Sequence, residues 1–281
     1  MKRALWVAAV LGFFLGSGGS PLAAQGVMVA PHAVYIDHRV RSGSVLLYNP
    51  GTEPVEVTIS TLFGYPTTNE KGEIVLRTVD VPDSTLPSAL AWIQAFPRRL
   101  TVAPLERQTV RLLARPPAGL ADGEYWVRLV IAAKAGTVPI TGVSDTTAIQ
   151  VGLTLEVRTI IGISYRKGPV TTGVTLSNLR AQLLNDTTLV TQSRLVRRGN
   201  AAFVGTVRGT IVDSTGTTRA SFFTPLGVYF TMEPRIASTI AKLPRGRYWL
   251  RYEVVAERED LDPSVVLRAP TARDSVRLVV P

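Results

Sequence analysis

The sequence predicts an all-β protein built from two β-sandwich domains behind an N-terminal export signal. Apolar and polar residues alternate in many short segments, clusters of turn formers separate those segments, and no convincing helical period follows the signal. The chain has 281 residues, a usual length for two domains. Apolar residues make up 46% of it and charged residues 19%, which supplies two packed cores and excludes a disordered chain.

Residues 1–25 have the pattern of a cleaved secretory signal peptide. Lys2 and Arg3 give a positive start, an apolar run follows over residues 4–15, and small residues lead to a cleavage region between Ala23 and Gly26. The apolar run is shorter than the roughly 20 residues that a membrane-spanning helix needs. We therefore expect a periplasmic protein without stable membrane insertion after cleavage, with an uncleaved N-terminal anchor as the alternative.

The strands are predicted from segments in which every second residue is apolar. Turn formers at residues 49–54 and 213–216 interrupt this pattern. A Gly-Pro break at residues 166–169 ends a long strand run, so we place the boundary between domains there, giving residues 26–166 and 167–281. The alternating segments are residues 55–59, 123–131, 206–212, 248–255 and 275–280.

The composition excludes several classes of chemistry. Cysteine is absent, which removes disulfides, zinc-thiolate sites and a cysteine nucleophile. The two histidines, His32 and His38, have no further donors near them in sequence, so they favour no metal site. The net charge of +10 comes from scattered residues rather than one basic face, which disfavours nucleic-acid binding.

Two local patterns are weak candidates for a site. Ser164 and Lys167 match Ser-x-x-Lys, but a strand end beside a Gly-Pro pair is the wrong setting for that motif. Residues 257–262 are rich in carboxylates, yet they lack the glycine-centred spacing of a calcium loop, and Arg258 lies among them. We interpret the second pattern as a solvated loop, and we predict neither enzyme activity nor a cofactor.

The first half resembles the periplasmic pilus-assembly, or PapD-like, chaperones. The resemblance covers roughly residues 27–166 and is carried by three stretches in order: residues 27–51, 92–112 and 116–129. It implies an immunoglobulin-like fold for both domains and a non-enzymatic function. Chaperones of this family bind exported subunits that have incomplete or exposed β-edges, by adding one of their own strands to the subunit.

The strand that the resemblance assigns to this role lies at residues 149–157. Its alternate residues are all apolar and project from one face. The alternative is that the same face belongs to the core of its own domain, because periodicity alone does not separate the two interpretations. The predicted client-binding residues are Ile149, Val151, Leu153, Leu155 and Val157.

The chain departs from the family where a client's terminal carboxylate is held. The family uses an arginine on the first strand and a lysine on the donor strand, whereas the matching first-strand position here is Ala33. On the donor strand Arg158 is the nearest cation and becomes the candidate carboxylate anchor. Aligning the chain by Tyr165 and Arg166 puts Gly162 at that position instead.

The sequence therefore predicts a divergent chaperone that binds pilin-like or other surface subunits by donor-strand addition. The alternative from a different class is a structural adaptor, in which two immunoglobulin-like domains are fixed within a cell-envelope complex.

Overall fold

The computed structural model describes residues 26–134 and 155–280, and every regular element in these ranges is a β-strand. The predicted all-β class is confirmed. In the described residues, no helix is long and apolar enough to cross a membrane. Residues 1–25, which carry the predicted signal peptide, lie outside the described ranges.

The first sandwich is formed by ten strands in two sheets. The first sheet has the order β1-β3-β8-β6, and all of its pairs are antiparallel. Its strands are β1 (Met28–Ala30), β3 (Ser42–Tyr48), β6 (Ile93–Phe96) and β8 (Arg107–Ala114).

The second sheet has six strands in the order β2-β10-β9-β4-β5, with β7 also paired to β4. The pairing of β2 with β10 is parallel, and the other pairs are antiparallel. The strands of this sheet are β2 (Ala33–Asp37), β4 (Val55–Thr68), β5 (Ile74–Val79), β7 (Arg99–Val102), β9 (Gly123–Lys134) and β10 (Glu156–Lys167).

The second sandwich follows after a four-residue connection and also has two sheets. One consists of β11, β12, β15 and β16, and the other has the order β14-β13-β17-β18. The strands are β11 (Thr172–Asn185), β12 (Thr188–Gly199), β13 (Phe203–Val212), β14 (Thr218–Val228), β15 (Thr231–Met232), β16 (Arg235–Thr239), β17 (Gly246–Val255) and β18 (Ala272–Val280).

Each sandwich encloses its own apolar core, as alternation along the strands predicts. In the first core, Leu47 and Leu112 of one sheet face Leu129 and Ile163 of the other, and all four are nearly inaccessible to solvent. The second core contains fully buried Phe203, Val207, Ile211, Leu250 and Val254. A third apolar cluster joins the sandwiches and consists of Phe63, Tyr65, Trp126, Ala202 and Tyr229, with Val79, Leu86, Leu90 and Phe230 against it.

Candidate functional site

The N-terminal half of β10 has a free edge. Along its whole length β10 pairs with β9, from Glu156 opposite Lys134 to Lys167 opposite Gly123. On the other side β2 covers only residues 162–166. Between Glu156 and Ile161, no strand of the described ranges occupies that side. An open strand edge presents unpaired N–H and C=O groups to which another chain can hydrogen-bond.

Apolar side chains accompany this free edge. Leu155 is 48% exposed, Val157 is 37% exposed and Ile160 is 44% exposed. The side chain of Val157 points to the same face of β10 as those of Ile161 and Ile163, which are buried in the first core. The face of β10 that is core at its C-terminal half is thus open to solvent at its N-terminal half.

The remaining predicted strand residues are Ile149, Val151 and Leu153, and they lie outside the described residues. Leu155 and Val157 are described, and their exposure fits both a donor strand and the frayed start of a core strand. The sequence analysis missed Ile160, because its side chain points to the opposite face of the strand from the predicted client-binding residues. Its exposed apolar side chain on a strand paired at only one edge is the signal that identifies it.

Arg158, the candidate carboxylate anchor, points to solvent at this edge. Its Nε donates a hydrogen bond to Oε1 of Glu156 at 2.5 Å, and both side chains are on the surface. Exposed pairs of this kind contribute little to stability. Arg158 is therefore available to a ligand only in competition with Glu156, and its predicted function stays a prediction.

A cleft of about 360 Å³ lies next to the free edge, between the two sandwiches. Ala33, which matches the family's first-strand cation, and Gly162, which matches the donor-strand cation only in the alignment by Tyr165 and Arg166, are direct register partners and both line it. Neither residue contributes a charge, and the small size of both leaves open space in the cleft between them and the second sandwich. Other lining residues are Tyr35, Pro66, Leu76, Arg128, Ile160, Ser164, Tyr229 and Arg258.

The charge of the cleft comes from two arginines that the sequence analysis did not select. Nε and Nη2 of Arg258 bind the carboxylate of Asp260 at 2.7 and 2.5 Å, so this guanidinium is already neutralised. Arg128 has no carboxylate partner in the described residues. Arg128 is thus the uncompensated cation of the cleft.

Local packing fixes the guanidinium of Arg128. Its Nε donates to the carbonyl oxygen of Gly64 at 2.8 Å, and its Cζ lies 5.0 Å from the centroid of the Tyr229 ring. Its Nη2 is buried and has no hydrogen-bond partner among the described residues. A buried N–H group without an acceptor is costly, so the guanidinium is held here at the expense of one hydrogen bond.

Tyr35 adds a hydrogen-bond donor to the cleft. Burial raises the pKa of Tyr35 to about 12, and the nearby Tyr229 and Glu124 act in the same direction. Its hydroxyl therefore keeps its proton at neutral pH. The guanidinium of Arg166 stacks over the Tyr35 ring at 4.4 Å from its centroid, which holds the ring against the wall of the cleft.

Glu124 links the two sandwiches through a network of hydrogen bonds. Its Oε1 accepts hydrogen bonds from Trp126 Nε1 at 2.7 Å and from the backbone N–H of Ala202 at 3.2 Å. Its Oε2 accepts one from Arg166 Nε at 2.7 Å, and Nη1 of Arg166 donates to the carbonyl of Val265. Glu124 is only 2% exposed. This network joins the first sandwich to the second through a fully bonded buried carboxylate.

A second junction forms at the tip of the β4–β5 hairpin. The backbone N–H of Glu233 donates to Oγ1 of Thr68 at 2.9 Å, and that of Arg235 donates to the carbonyl of Gly72 at 2.8 Å. Gly72 has a φ of 78°, and an ideal Cβ there would lie 2.7 Å from Cβ of Arg235. Glycine is therefore required for the hairpin to approach the second sandwich this closely.

The side chains that the sequence analysis rejected as sites are used structurally. Nδ1 of His38 and the hydroxyl of Tyr165 are hydrogen-bonded at 2.5 Å. Nζ of Lys167 donates to the carbonyl of Leu120 and to the carboxylate of Asp122 rather than to Ser164. Within the described ranges, no three histidine or carboxylate side chains are grouped so that they could hold a metal ion.

No protein-family model and no curated protein matches the chain. Solved structures do match it. The YadV chaperone is 14% identical, with 90% of this chain and 100% of that chain covered and a TM-score of 0.43. The CupB2 chaperone of Pseudomonas aeruginosa is 13% identical, with 90% and 100% covered and a TM-score of 0.39.

A third match is a chain of the CsuC–CsuE chaperone–tip adhesion subunit pre-assembly complex, from the archaic chaperone-usher Csu pili of Acinetobacter baumannii. It is 15% identical, with 75% of this chain and 90% of that chain covered and a TM-score of 0.42. Each of these three similar structures contains a chaperone.

Proposed function

We propose that this protein is a periplasmic, non-enzymatic chaperone that binds exported subunits by strand addition at the free edge of β10. The observation that carries the proposal is the open edge at residues 156–161 with exposed Leu155, Val157 and Ile160 beside it. The resemblance of residues 27–166 to the pilus-assembly chaperones supports the same function, and the client is a subunit that lacks one strand of its own fold.

The energy of such binding comes from two sources. Full burial of a Val, Leu or Ile side chain is worth about 1.5–3 kcal/mol. Each new main-chain hydrogen bond contributes about 0.5–1.5 kcal/mol net. Leu155 and Val157 on one face, Ile160 on the other and the unpaired edge between them thus all contribute to binding, and none of these contributions requires a nucleotide or a metal.

We propose further that Arg128 receives the client's terminal carboxylate in the cleft. Arg128 lines the cleft and forms no ion pair in the described residues, and Gly162 leaves the room that its guanidinium needs. The cleft adjoins the free edge of β10, since Ile160 and Gly162 line it. Arg158, the carboxylate anchor predicted from the sequence, is the alternative candidate for this contact. Substituting each with glutamine separates the two assignments.

The test begins with wild-type protein and two variants, Leu155→Arg and Val81→Arg. Val81 is an exposed valine in the loop after β5, away from the free edge, so Val81→Arg is the matched control. A tagged version of each is purified from the envelope fraction, and its partners are identified by mass spectrometry. We expect one recurring exported partner with wild type and with Val81→Arg, and its loss with a folded Leu155→Arg.

The same complex allows a direct measurement of strand addition. With purified partner, hydrogen exchange at amides 156–161 should slow in wild type, because the edge becomes hydrogen-bonded. Retention of the partner by folded Leu155→Arg, with unchanged exchange at the edge, would contradict the chaperone proposal. That result would favour the structural adaptor, in which β10 serves only its own sandwich.

A further inference from the structure

A second open edge lies at the opposite side of the same six-stranded sheet. β5 is the outermost strand there and pairs only with β4, from Ile74 opposite Thr68 to Val79 opposite Phe63. In the described residues no strand covers its other side. Ile74, Val75 and Leu76 are 46%, 38% and 39% exposed, although all three are large apolar residues.

The charges along this edge are placed symmetrically about its apolar centre. Glu73 precedes Ile74, and Arg77 follows Leu76. The carboxylate of Glu73 accepts a hydrogen bond from Asn69 Nδ2 at 2.7 Å and forms no ion pair in the described residues. Arg77 is exposed and likewise forms no ion pair there. The segment 73–77 therefore consists of an acidic residue, three apolar residues and a basic residue. A second copy that runs in the antiparallel direction presents the complementary order of charges.

We propose that a second copy of this chain pairs with β5 in an antiparallel arrangement, with the two-fold axis at Val75. Glu73 then lies opposite the partner subunit's Arg77, and Ile74 lies opposite the partner subunit's Leu76. Directly opposed residues in antiparallel strands point to the same face. On one face of the new ladder, the two opposed valines lie between two ion pairs, one on each side. The other face carries only isoleucine opposite leucine.

The register is specified by the same residues. A shift by one residue sets Ile74 against the partner subunit's Arg77 and removes both ion pairs. Opposite charges and apolar pairs directly across from one another stabilise paired strands, whereas a charge opposite an apolar residue does not. The centred register is thus the one that the sequence of this edge favours.

Pairing at β5 leaves the backbone edge of β10 uncovered, although it places the second copy at Leu76, which lines the same cleft as Ile160 of β10. β5 and β10 lie near opposite sides of the sheet, in the order β2-β10-β9-β4-β5. Two six-stranded sheets would join into one of twelve strands, with a free β10 edge towards each end. The inference does not depend on the proposed function, since it rests on β5 alone.

The test is the mass of the protein in solution, measured by sedimentation velocity and by size-exclusion chromatography with light scattering over a range of concentrations. The full chain is produced by export and purified. We expect a concentration-dependent doubling of mass in wild type. Val75→Lys places two lysines together at the axis and should give a monomer, whereas Val81→Lys, the exposed control, should not.

Charge exchange makes the test specific for the register. Glu73→Arg and Arg77→Glu each place like charges opposite one another and should be monomeric alone. An equimolar mixture of the two variants restores both ion pairs and should recover the doubled mass, as should the variant that carries both changes. A wild type that stays monomeric at all concentrations, or a dimer that Val75→Lys leaves intact, would overturn the proposal.

Discussion

Gly162 on β10 leaves the space that the guanidinium of Arg128 on β9 occupies. An ideal Cβ at Gly162 would lie 2.6 Å from Nη1 of Arg128, which is closer than a carbon atom and a nitrogen atom can approach. The absence of a side chain on one strand is thus what allows a cation from the neighbouring strand to lie in the cleft.

Gly162→Ala should displace Arg128 and weaken client binding. Loss of one charge-assisted hydrogen bond costs about 1.5–3 kcal/mol, or roughly 10- to 100-fold in affinity. Crowding should also lower the free energy of unfolding by about 1–3 kcal/mol. The matched control is Gly173→Ala, where the nearest atom would be 3.6 Å away. Affinity for the purified client and urea unfolding measure the two effects, and unchanged affinity would contradict the assignment of Arg128.

Glu124→Gln should loosen the junction between the sandwiches. It leaves the guanidinium of Arg166 without a charge partner at a site where that side chain is only 15% exposed. Removing one partner of a buried ion pair costs about 3–5 kcal/mol. The surface pair of Arg208 and Glu257 gives the comparison, since Glu257→Gln should cost less than about 1 kcal/mol. If both variants lowered the free energy of unfolding in urea by the same amount, Glu124 would not be the main contact that stabilises the junction.

Asp213 should make stability depend on acid pH. A hydrogen bond from the Thr215 hydroxyl, with others from Arg219 and the turn backbone, lowers the pKa of Asp213 to about 2. Because the pKa is lower in the folded state than its usual value of about 3.9, the stabilisation is present above pH 4 and is lost as the pH falls towards 2. Asp213→Asn should remove that part of the decline in Tm.

The matched control for Asp213 is Glu70→Gln, a change at an exposed carboxylate that forms no side-chain hydrogen bond in the described residues. Its Tm should follow the wild-type profile between pH 4 and pH 2. A parallel decline in Asp213→Asn would refute the contribution of this turn.

Core substitutions should affect one sandwich at a time. Leu129 and Leu250 are both completely buried, one in each core. Leu→Ala changes at such sites cost about 2–5 kcal/mol. Hydrogen exchange should rise mainly in residues 26–134 and 155–167 for Leu129→Ala and in residues 172–280 for Leu250→Ala. Leu184→Ala, at an exposed leucine of β11, should change neither region, and uniform acceleration in both regions would contradict two separate cores.

Local alternation was sufficient to predict several of the strands, but not others such as β11, β12 and β14. The segment at residues 123–131 lies within β9, and those at 206–212 and 248–255 lie within β13 and β17. Each has apolar residues at every second position because one face of its sheet packs on a core. The predicted turn at 213–216 is also present, with the N–H of Gly216 bonded to the carbonyl of Asp213 at 3.0 Å.

The cleft could not be predicted in the same way. Arg128 lies among apolar residues in sequence, and nothing local distinguishes it from a solvated arginine. Its position depends on Gly162, Gly64 and Tyr229, which are 34, 64 and 101 residues away along the chain. Glu124 has the same difficulty, because its partners Arg166 and Ala202 come together only when both sandwiches have formed.

The alternation of β9 has a consequence for how this chain can change during evolution. Val127, Leu129 and Ile131 face the first core, while Glu124, Trp126 and Arg128 serve the junction and the cleft. Inserting or deleting one residue within the strand would exchange the two faces from that point onward. Substitutions on β9 can accumulate one at a time, but the length of the strand is constrained by both of its faces. Diverging lineages should therefore vary in length in the loops and keep these twelve positions in register.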